Sequence, residues 1–181
     1  MNMDKTMGFY IDLTRCIGCH TCSVACRDWN HLDDSASWRE VLTIEAGEYP
    51  NPFVCFFPTA CYHCSEPICQ TVCPVAAIQK EESHGLIILD QEKCIGCGAC
   101  ANACPYQAPK LNHGKYGKCD MCLSRLNDGK QPICISSCPM RAIDYGRMED
   151  LRTKYPGTDQ VPYYPAPDAT RPHLWIKAKL K

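Results

Sequence analysis

The chain has 181 residues, with 19 basic and 20 acidic side chains for a formal charge of −1, and seventeen cysteines. Only 33 residues are Ile, Leu, Val or Phe, about 18%, a level that would signal disorder if the net charge were also high. It is not high, so something besides aliphatic packing holds the chain together; the balanced charge gives no case for nucleic-acid binding, and no run approaches the roughly 20 apolar residues of a membrane-spanning helix.

The opening M-N-M-D-K-T-M-G-F-Y has neither an apolar signal core nor a twin-arginine pair, so no export signal is expected there. Phe9-Tyr10-Ile11-Asp12-Leu13 reads as a short strand leading into a first cysteine quartet, Cys16, Cys19, Cys22 and Cys26, with gaps of two, two and three. Residues 27–60 hold no quartet cysteine. They carry Trp29, Trp38, Arg39 and an extended F-V-C-F-F run, and read as an insertion packed across the cysteine-bearing parts, with some surface left for a partner. The uncharged stretch 49–65 contains Pro50, Pro52 and Pro58 and cannot be one helix.

A second quartet, Cys61, Cys64, Cys69 and Cys73, has gaps of two, four and three. Ala77-Ile78-Gln79 and Leu86-Ile87-Ile88-Leu89 flank E-E-S-H-G and predict a hairpin. The third quartet, Cys94, Cys97, Cys100 and Cys104, repeats the first pattern, and residues 105–118 read as a connection broken by proline and glycine. The fourth, Cys119, Cys122, Cys134 and Cys138, has gaps of two, eleven and three and leads to an exit strand, Ala142-Ile143-Asp144-Tyr145. Residues 147–181 open on a helix, M-E-D-L-R-T-K-Y, and become proline-rich and extended; such a tail wraps its own domain or docks on another subunit.

Three chemistries compete for these thiols. Disulfides would suit a secreted chain, yet the cysteine count is odd and pairs two residues apart close loops too small to gain much from bridging. Structural zinc uses two cysteine pairs split by a longer segment, and explains neither a third cysteine two residues on nor a fourth before proline. C-x2-C-x2-C-x3-C-P is the bacterial ferredoxin pattern for an iron–sulfur cluster, and it recurs here, complete or varied, four times. Pro74, Pro105 and Pro139 follow three of the quartets directly; Arg27 follows the first.

The spacing has a geometric reason. A tight loop reaches three corners of a cubane with thiolates two residues apart, and Gly18, Gly96 and Gly98 let it curl. The fourth cysteine is expected on a short helix leaving the loop, where it ligates a neighbouring cluster as in two-cluster ferredoxins, with proline ending the helix. The repeat of cluster loop, helix, proline and strand predicts an α+β fold of two ferredoxin-like modules of the bacterial dicluster type, with an insertion and an extended C-terminal tail.

The blocks F-Y-I-D-L-T-R-C-I-G-C-H-T-C, C-Y-H-C-S-E-P-I-C-Q-T-V-C-P, C-I-G-C-G-A-C-A-N-A-C-P-Y-Q-A-P, K-C-D-M-C-L-S-R-L-N-D-G-K-Q-P-I-C-I-S-S-C-P-M-R-A-I-D-Y-G and T-R-P-H-L-W-I-K span nearly the whole chain. In this order they resemble the four-cluster iron–sulfur subunit of the dimethyl sulfoxide reductase family of molybdenum enzymes. Nitrate reductase relatives place tryptophan at one ligand position and hold a three-iron cluster there. All sixteen positions are cysteine here, which implies four 4Fe–4S clusters.

The resemblance also implies which cysteines share a cluster. Cys16, Cys19 and Cys22 would join Cys138, while Cys119, Cys122 and Cys134 would join Cys26. Cys61, Cys64 and Cys69 would join Cys104, and Cys94, Cys97 and Cys100 would join Cys73. On that implication 1–26 with 105–146 form an outer module of quartets one and four, and 61–104 an inner module of quartets two and three. Residues 27–60 are an insertion and 147–181 a C-terminal extension. The implied role is an electron-transfer subunit between a molybdopterin-containing catalytic subunit and a membrane quinone-reactive subunit or soluble partner, peripheral to the membrane. A free-standing polyferredoxin, or the iron–sulfur subunit of a formate dehydrogenase or hydrogenase complex, shares the clusters and differs in partner.

No phosphate loop, dinucleotide fingerprint or nucleophile motif is present, so the chain is not expected to catalyse a reaction alone. Four clusters would add about −8 to the formal −1. Arg15, Lys93, Lys118 and Arg141 stand beside cluster cysteines and either offset part of that charge or are ordinary exposed loop residues. His63, between Cys61 and Cys64, fits a hydrogen-bond donor near a cluster or a loop histidine with a local bond, and His20 has the same two readings. Cys55, in Val-Cys-Phe-Phe, reads as a buried small hydrophobe. Trp29, Trp38 and Trp175 read as packing residues that would also suit an interface.

Overall fold

The computed structural model describes residues 6–34 and 36–179; the first five residues of the stretch read for an export signal lie outside them. In chain order the elements are β1 (Met7–Asp12), α1 (Thr21–Trp29), β2 (Arg39–Ala46), β3 (Phe53–Ala60), α2 (Ile68–Thr71), β4 (Ile78–Lys80) and β5 (Ile87–Leu89). There follow α3 (Ala99–Ala103), β6 (Lys110–Asn112), β7 (Lys115–Gly117), α4 (Leu123–Asn127), α5 (Ile133–Ser136), β8 (Ile143–Arg147), α6 (Met148–Lys154) and β9 (Leu174–Lys177). The mixture of short helices and strands is α+β.

Phe9, Tyr10 and Ile11 put bulky side chains on both faces of β1, and such a strand is stable only where both faces are covered. It is the middle strand of a sheet ordered β8-β1-β9, antiparallel to β8 (Phe9 opposite Tyr145) and parallel to β9 (Phe9 opposite Leu174). Helix α6 covers one face with Met148 and Leu151, and Tyr10 stacks on Tyr155 with ring centroids 3.9 Å apart. The other face enters the main core with Phe57, Leu86, Met121, Leu174 and Ile176.

In β3 the run F-V-C-F-F alternates inward and outward, as period-two geometry requires, so Phe53, Cys55 and Phe57 face the core. Cys55 is therefore the packing residue that its setting suggests. Strands β2 and β3 form a long hairpin, Arg39 opposite Ala60 at its base and Ala46 opposite Phe53 at its tip. The hairpin expected around E-E-S-H-G is β4–β5.

One segment departs from the sequence reading, and the tail takes the first of its two expected courses. Residues 105–118 are not merely a broken connection: β6 and β7 pair across a tight turn in which His113 (φ 49°) and Gly114 (φ 77°) are both left-handed, the conformation a two-residue hairpin turn demands. The proline-rich tail packs on its own chain. Tyr164 stacks on Phe57 (4.4 Å) and Tyr106 (5.5 Å), and the L-W-I-K segment becomes β9.

Helices α2 to α5 have four or five residues each, too short to persist without tertiary packing. Helix α1 packs against α5, and α2 against α3. These two contacts bring quartet one beside quartet four and quartet two beside quartet three.

Candidate metal centres

Each quartet loop has a left-handed residue immediately before its second cysteine: Gly18 (φ 72°), His63 (48°), Gly96 (70°) and Met121 (59°). Glycine reaches this conformation freely, and at Gly96 an added Cβ would also meet the Gly114 carbonyl oxygen at 2.4 Å. His63 and Met121 adopt it at a cost of roughly 1–2 kcal/mol each, and both are held by complete burial. In three of the loops the turn aims that residue's amide at the first cysteine. Gly96 N–H donates to Cys94 Sγ (3.5 Å), Met121 N–H to Cys119 Sγ (3.4 Å), and Gly18 N–H to Cys16.

A second left-handed residue stands three positions after the last cysteine wherever proline follows it: Ala76 (49°), Gln107 (50°) and Arg141 (50°). The next amide then points back at that cysteine. Ala77 N–H donates to Cys73 Sγ (3.3 Å), Ala142 N–H to Cys138 Sγ (3.4 Å), and Ala108 N–H to Cys104. In the first quartet Arg27 stands in place of proline and α1 runs on to Trp29. There the residue four beyond the cysteine, Asn30, donates from its side-chain Nδ2 to Cys26 Sγ (3.6 Å) and to the Cys26 carbonyl (2.8 Å). Of the fourth cysteines only Cys26 lies within its helix. Cys104 caps α3, and Cys73 and Cys138 lie two residues beyond α2 and α5.

Cys16, Cys19, Cys22 and Cys138 line a small apolar cavity with Val41, Pro58 and Ile143. Cys61, Cys64, Cys69 and Cys104 line another with Tyr106, Ala108 and Lys118. Cys73, Cys94, Cys97 and Cys100 line a third with Ile78, Leu89 and Ile95. Cys26, Cys119, Cys122 and Cys134 gather in the interior, near enough that charge on one disfavours charge on the others. Among the described residues no three His, Cys, Asp or Glu side chains converge as a lone metal ion requires. Three of these sets of four thiols surround a space, as a multi-iron cluster bound through cysteine needs.

Burial pushes Cys22 and Cys122 up to about 11, and Cys26, Cys64 and Cys69 up to about 12. Such thiols keep their protons at neutral pH unless a cation supplies the opposing charge, so the donor sets fit iron. Cys19 is the contrast. It is exposed, and the hydroxyl of Thr21 (3.4 Å) lowers its pKa.

The four flanking cations divide. Lys93 and Arg15 are exposed and pair with Asp90 (3.4 Å) and Asp12 (3.7 Å). Arg141 is exposed and donates to the Cys138 carbonyl (3.1 Å). Lys118 is 3% exposed and faces the Cys61 cavity, its Nζ donating to the carbonyls of Ile87 and Cys119. His63 is fully buried and its bond is not local: Nδ1 accepts from the Ile87 amide in β5 (3.1 Å), which leaves the proton on Nε2. His20 is exposed at the rim of the Cys16 cavity.

Three polar residues near the thiols went unread in the sequence. Asn30 has been described; its only trace is the missing proline after Cys26. Thr170 in the tail is buried, with its hydroxyl within reach of Tyr106 Oη (3.2 Å) and of the Cys64 thiol. Arg39, named only as part of the insertion, is 1% exposed among Cys22, Cys119 and Cys134. Nothing in W-R-E signals that burial, which arises because hairpin pairing sets Arg39 opposite Ala60, next to Cys61.

Residues 52–148 match the family model of a 4Fe–4S dicluster domain, and residues 13–29 that of a 4Fe–4S binding domain. The sequence is 39% identical over 185 residues to the B chain of the anaerobic dimethyl sulfoxide reductase of Escherichia coli K12, covering 97% of this protein and 90% of that one. The protein belongs to the iron–sulfur family of the dimethyl sulfoxide reductase B chains. Its cofactors are 4Fe–4S clusters. The probable anaerobic dimethyl sulfoxide reductase chain YnfG of the same strain is 40% identical with the same coverage. The formate dehydrogenase-O iron-sulfur subunit of that strain is 32% identical over 79% of this protein, and the match spans 54% of that subunit.

Proposed function

We propose that the chain holds four 4Fe–4S clusters and relays single electrons between a molybdopterin-containing catalytic subunit and a membrane quinone-reactive subunit or soluble partner. Each cysteine group takes one cluster: Cys16, Cys19, Cys22 and Cys138; Cys26, Cys119, Cys122 and Cys134; Cys61, Cys64, Cys69 and Cys104; Cys73, Cys94, Cys97 and Cys100. Residues 1–26 and 105–146 make the outer ferredoxin-like module and 61–104 the inner one, with 27–60 inserted and 147–181 as the extension. When bound, each cluster supplies one reversible electron. The carrying observation is the three-plus-one grouping, in which every set of four thiols draws one member from another quartet.

The geometry supports an order. Cys22 faces Cys134, joining the Cys16 group to the Cys26 group. Lys118 lines the Cys61 cavity while bonding to the Cys119 carbonyl, and the packing of α2 on α3 joins the Cys61 group to the Cys73 group. The end groups in this order hold the two exposed cysteines, Cys19 and Cys97, beside exposed Ile17 and Met140 at one end and Ile95 and Val75 at the other. These ends are the places for exchange with partners. Among the described residues no helix is long and apolar enough to cross a membrane, and a membrane partner in this reading is a separate subunit.

The complex, purified without air, should hold about sixteen iron and sixteen sulfide per chain and elute with a much larger subunit. A stable preparation with zinc and no acid-labile sulfide would end the proposal. Co-elution with a formate-oxidising subunit would move the chain to the second reading, which the formate dehydrogenase relative favours and its short span disfavours.

A further inference from the structure

Arg39 opens β2, a strand of a hairpin with much exposed surface, yet its side chain is sealed inside. Its guanidinium lies 4.6 Å from the centroid of the Phe9 ring, which covers one face. Nη1 donates to the Pro58 carbonyl (3.2 Å), while Nε and Nη2 have no hydrogen-bond partner among the described residues. Among those residues no carboxylate pairs with it either. A permanently charged group in such a place is strongly unfavourable unless negative charge faces it.

The groups that face it are thiols and, more weakly, the buried Tyr62 phenol. Cys134, Cys119 and Cys22 act most strongly on it, and Cys26 feels its charge in return. Three of these belong to the Cys26 group and one to the Cys16 group. They arrive from α1, from α5 and from the loop before α4, so three separate elements close around one cation. Lys118 differs, because carbonyl oxygens already satisfy its ammonium.

We infer that Arg39 is the internal counter-cation of the two outer clusters, raising the reduction potential of the Cys26-group cluster most and that of the Cys16-group cluster less. This rests on the cluster assignment proposed above. Uptake of one electron adds one negative charge beside a guanidinium that neither gains nor loses a proton. The fixed positive charge therefore favours the reduced form without coupling it to pH. Arg39 touches no substrate; it is a positioning residue that acts through the clusters.

The test uses the intact complex with wild-type chain, Arg39→Gln and Arg39→Lys, scored by iron and sulfide content and by redox titration followed by electron paramagnetic resonance. In Arg39→Gln with full iron, the one-electron equilibrium of the Cys26-group cluster should shift about tenfold toward the oxidised form, about 59 mV. The Cys16-group cluster should move less and the two inner clusters stay in place, with Arg39→Lys restoring most of the loss. A Gln variant that loses iron while the Lys variant retains it also supports a required charge. Full iron with unmoved potentials, equal shifts at all four clusters, or loss of clusters in both variants would overturn the inference, the last by assigning Arg39 to packing. A wild-type complex lacking about sixteen iron per chain would instead fail the underlying assignment, whatever the variants do.

Discussion

At Cys26 a helical position coincides with a proposed ligand position. The other three fourth cysteines stand at or beyond a helix end, before a proline whose preceding residue is disfavoured in the α region, and receive a main-chain amide from the turn that follows. Cys26 stays helical because Arg27 imposes no such restriction, and Asn30 supplies from its side chain the donor that the main chain supplies elsewhere. On the proposed assignment, Cys26→Ser should alter the resonance of the cluster shared with Cys119, Cys122 and Cys134 and leave that of the Cys16 group in place. A change confined to the Cys16-group signal would disprove the crossing. The sixteen thiols stand out in the sequence because, on the proposed assignment, their spacing is dictated by cluster chemistry within a few residues of chain. Arg39 does not, since its burial depends on a hairpin register and on a helix nearly a hundred residues away, and no local pattern carries either.

Among the elements, the short strands were read well where alternation or a turn signal marked them and missed where neither did. The L-W-I-K segment follows a proline-rich stretch and has only four residues, yet it is a buried strand, because β1 presents an edge that only this part of the tail covers. Leu174 is completely enclosed against that edge. Leu174→Ala should lower stability by about 2–5 kcal/mol, read as a fall in the denaturant midpoint of the anaerobic protein. The matching change at exposed Leu111 in β6 should stay within about 0.5 kcal/mol. Equal effects at the two positions would mean that β9 does not hold the tail. The β6–β7 hairpin was overlooked for a related reason: its turn, His113-Gly114, has histidine where asparagine or aspartate usually marks the position.

For the molecule as a whole, the shortage of aliphatic residues is answered by where the cysteines lie. Cys22, Cys61, Cys119 and Cys134 sit inside the same core as Phe9, Phe57 and Met121, so on the proposed assignment the centre is built around thiols that need iron to be buried as thiolates. Stripping the iron should abolish cooperative unfolding and most of the circular dichroism of the sheet. An iron-free chain with the native spectrum would refute this dependence.

The sheet order β8-β1-β9 also constrains the timing of synthesis. Strand β1 is made first, but its two neighbours are the exit strand of the last quartet and a strand that ends at Lys177. On the proposed grouping, Cys22 waits 116 positions for Cys138, roughly 6–23 s at the ordinary pace of translation. The growing chain must therefore keep its first three thiols without their fourth partner while nearly everything else is being made. On that grouping the outer module receives its last ligand only at Cys138, whereas the inner module is complete at Cys104 and can be filled while synthesis continues.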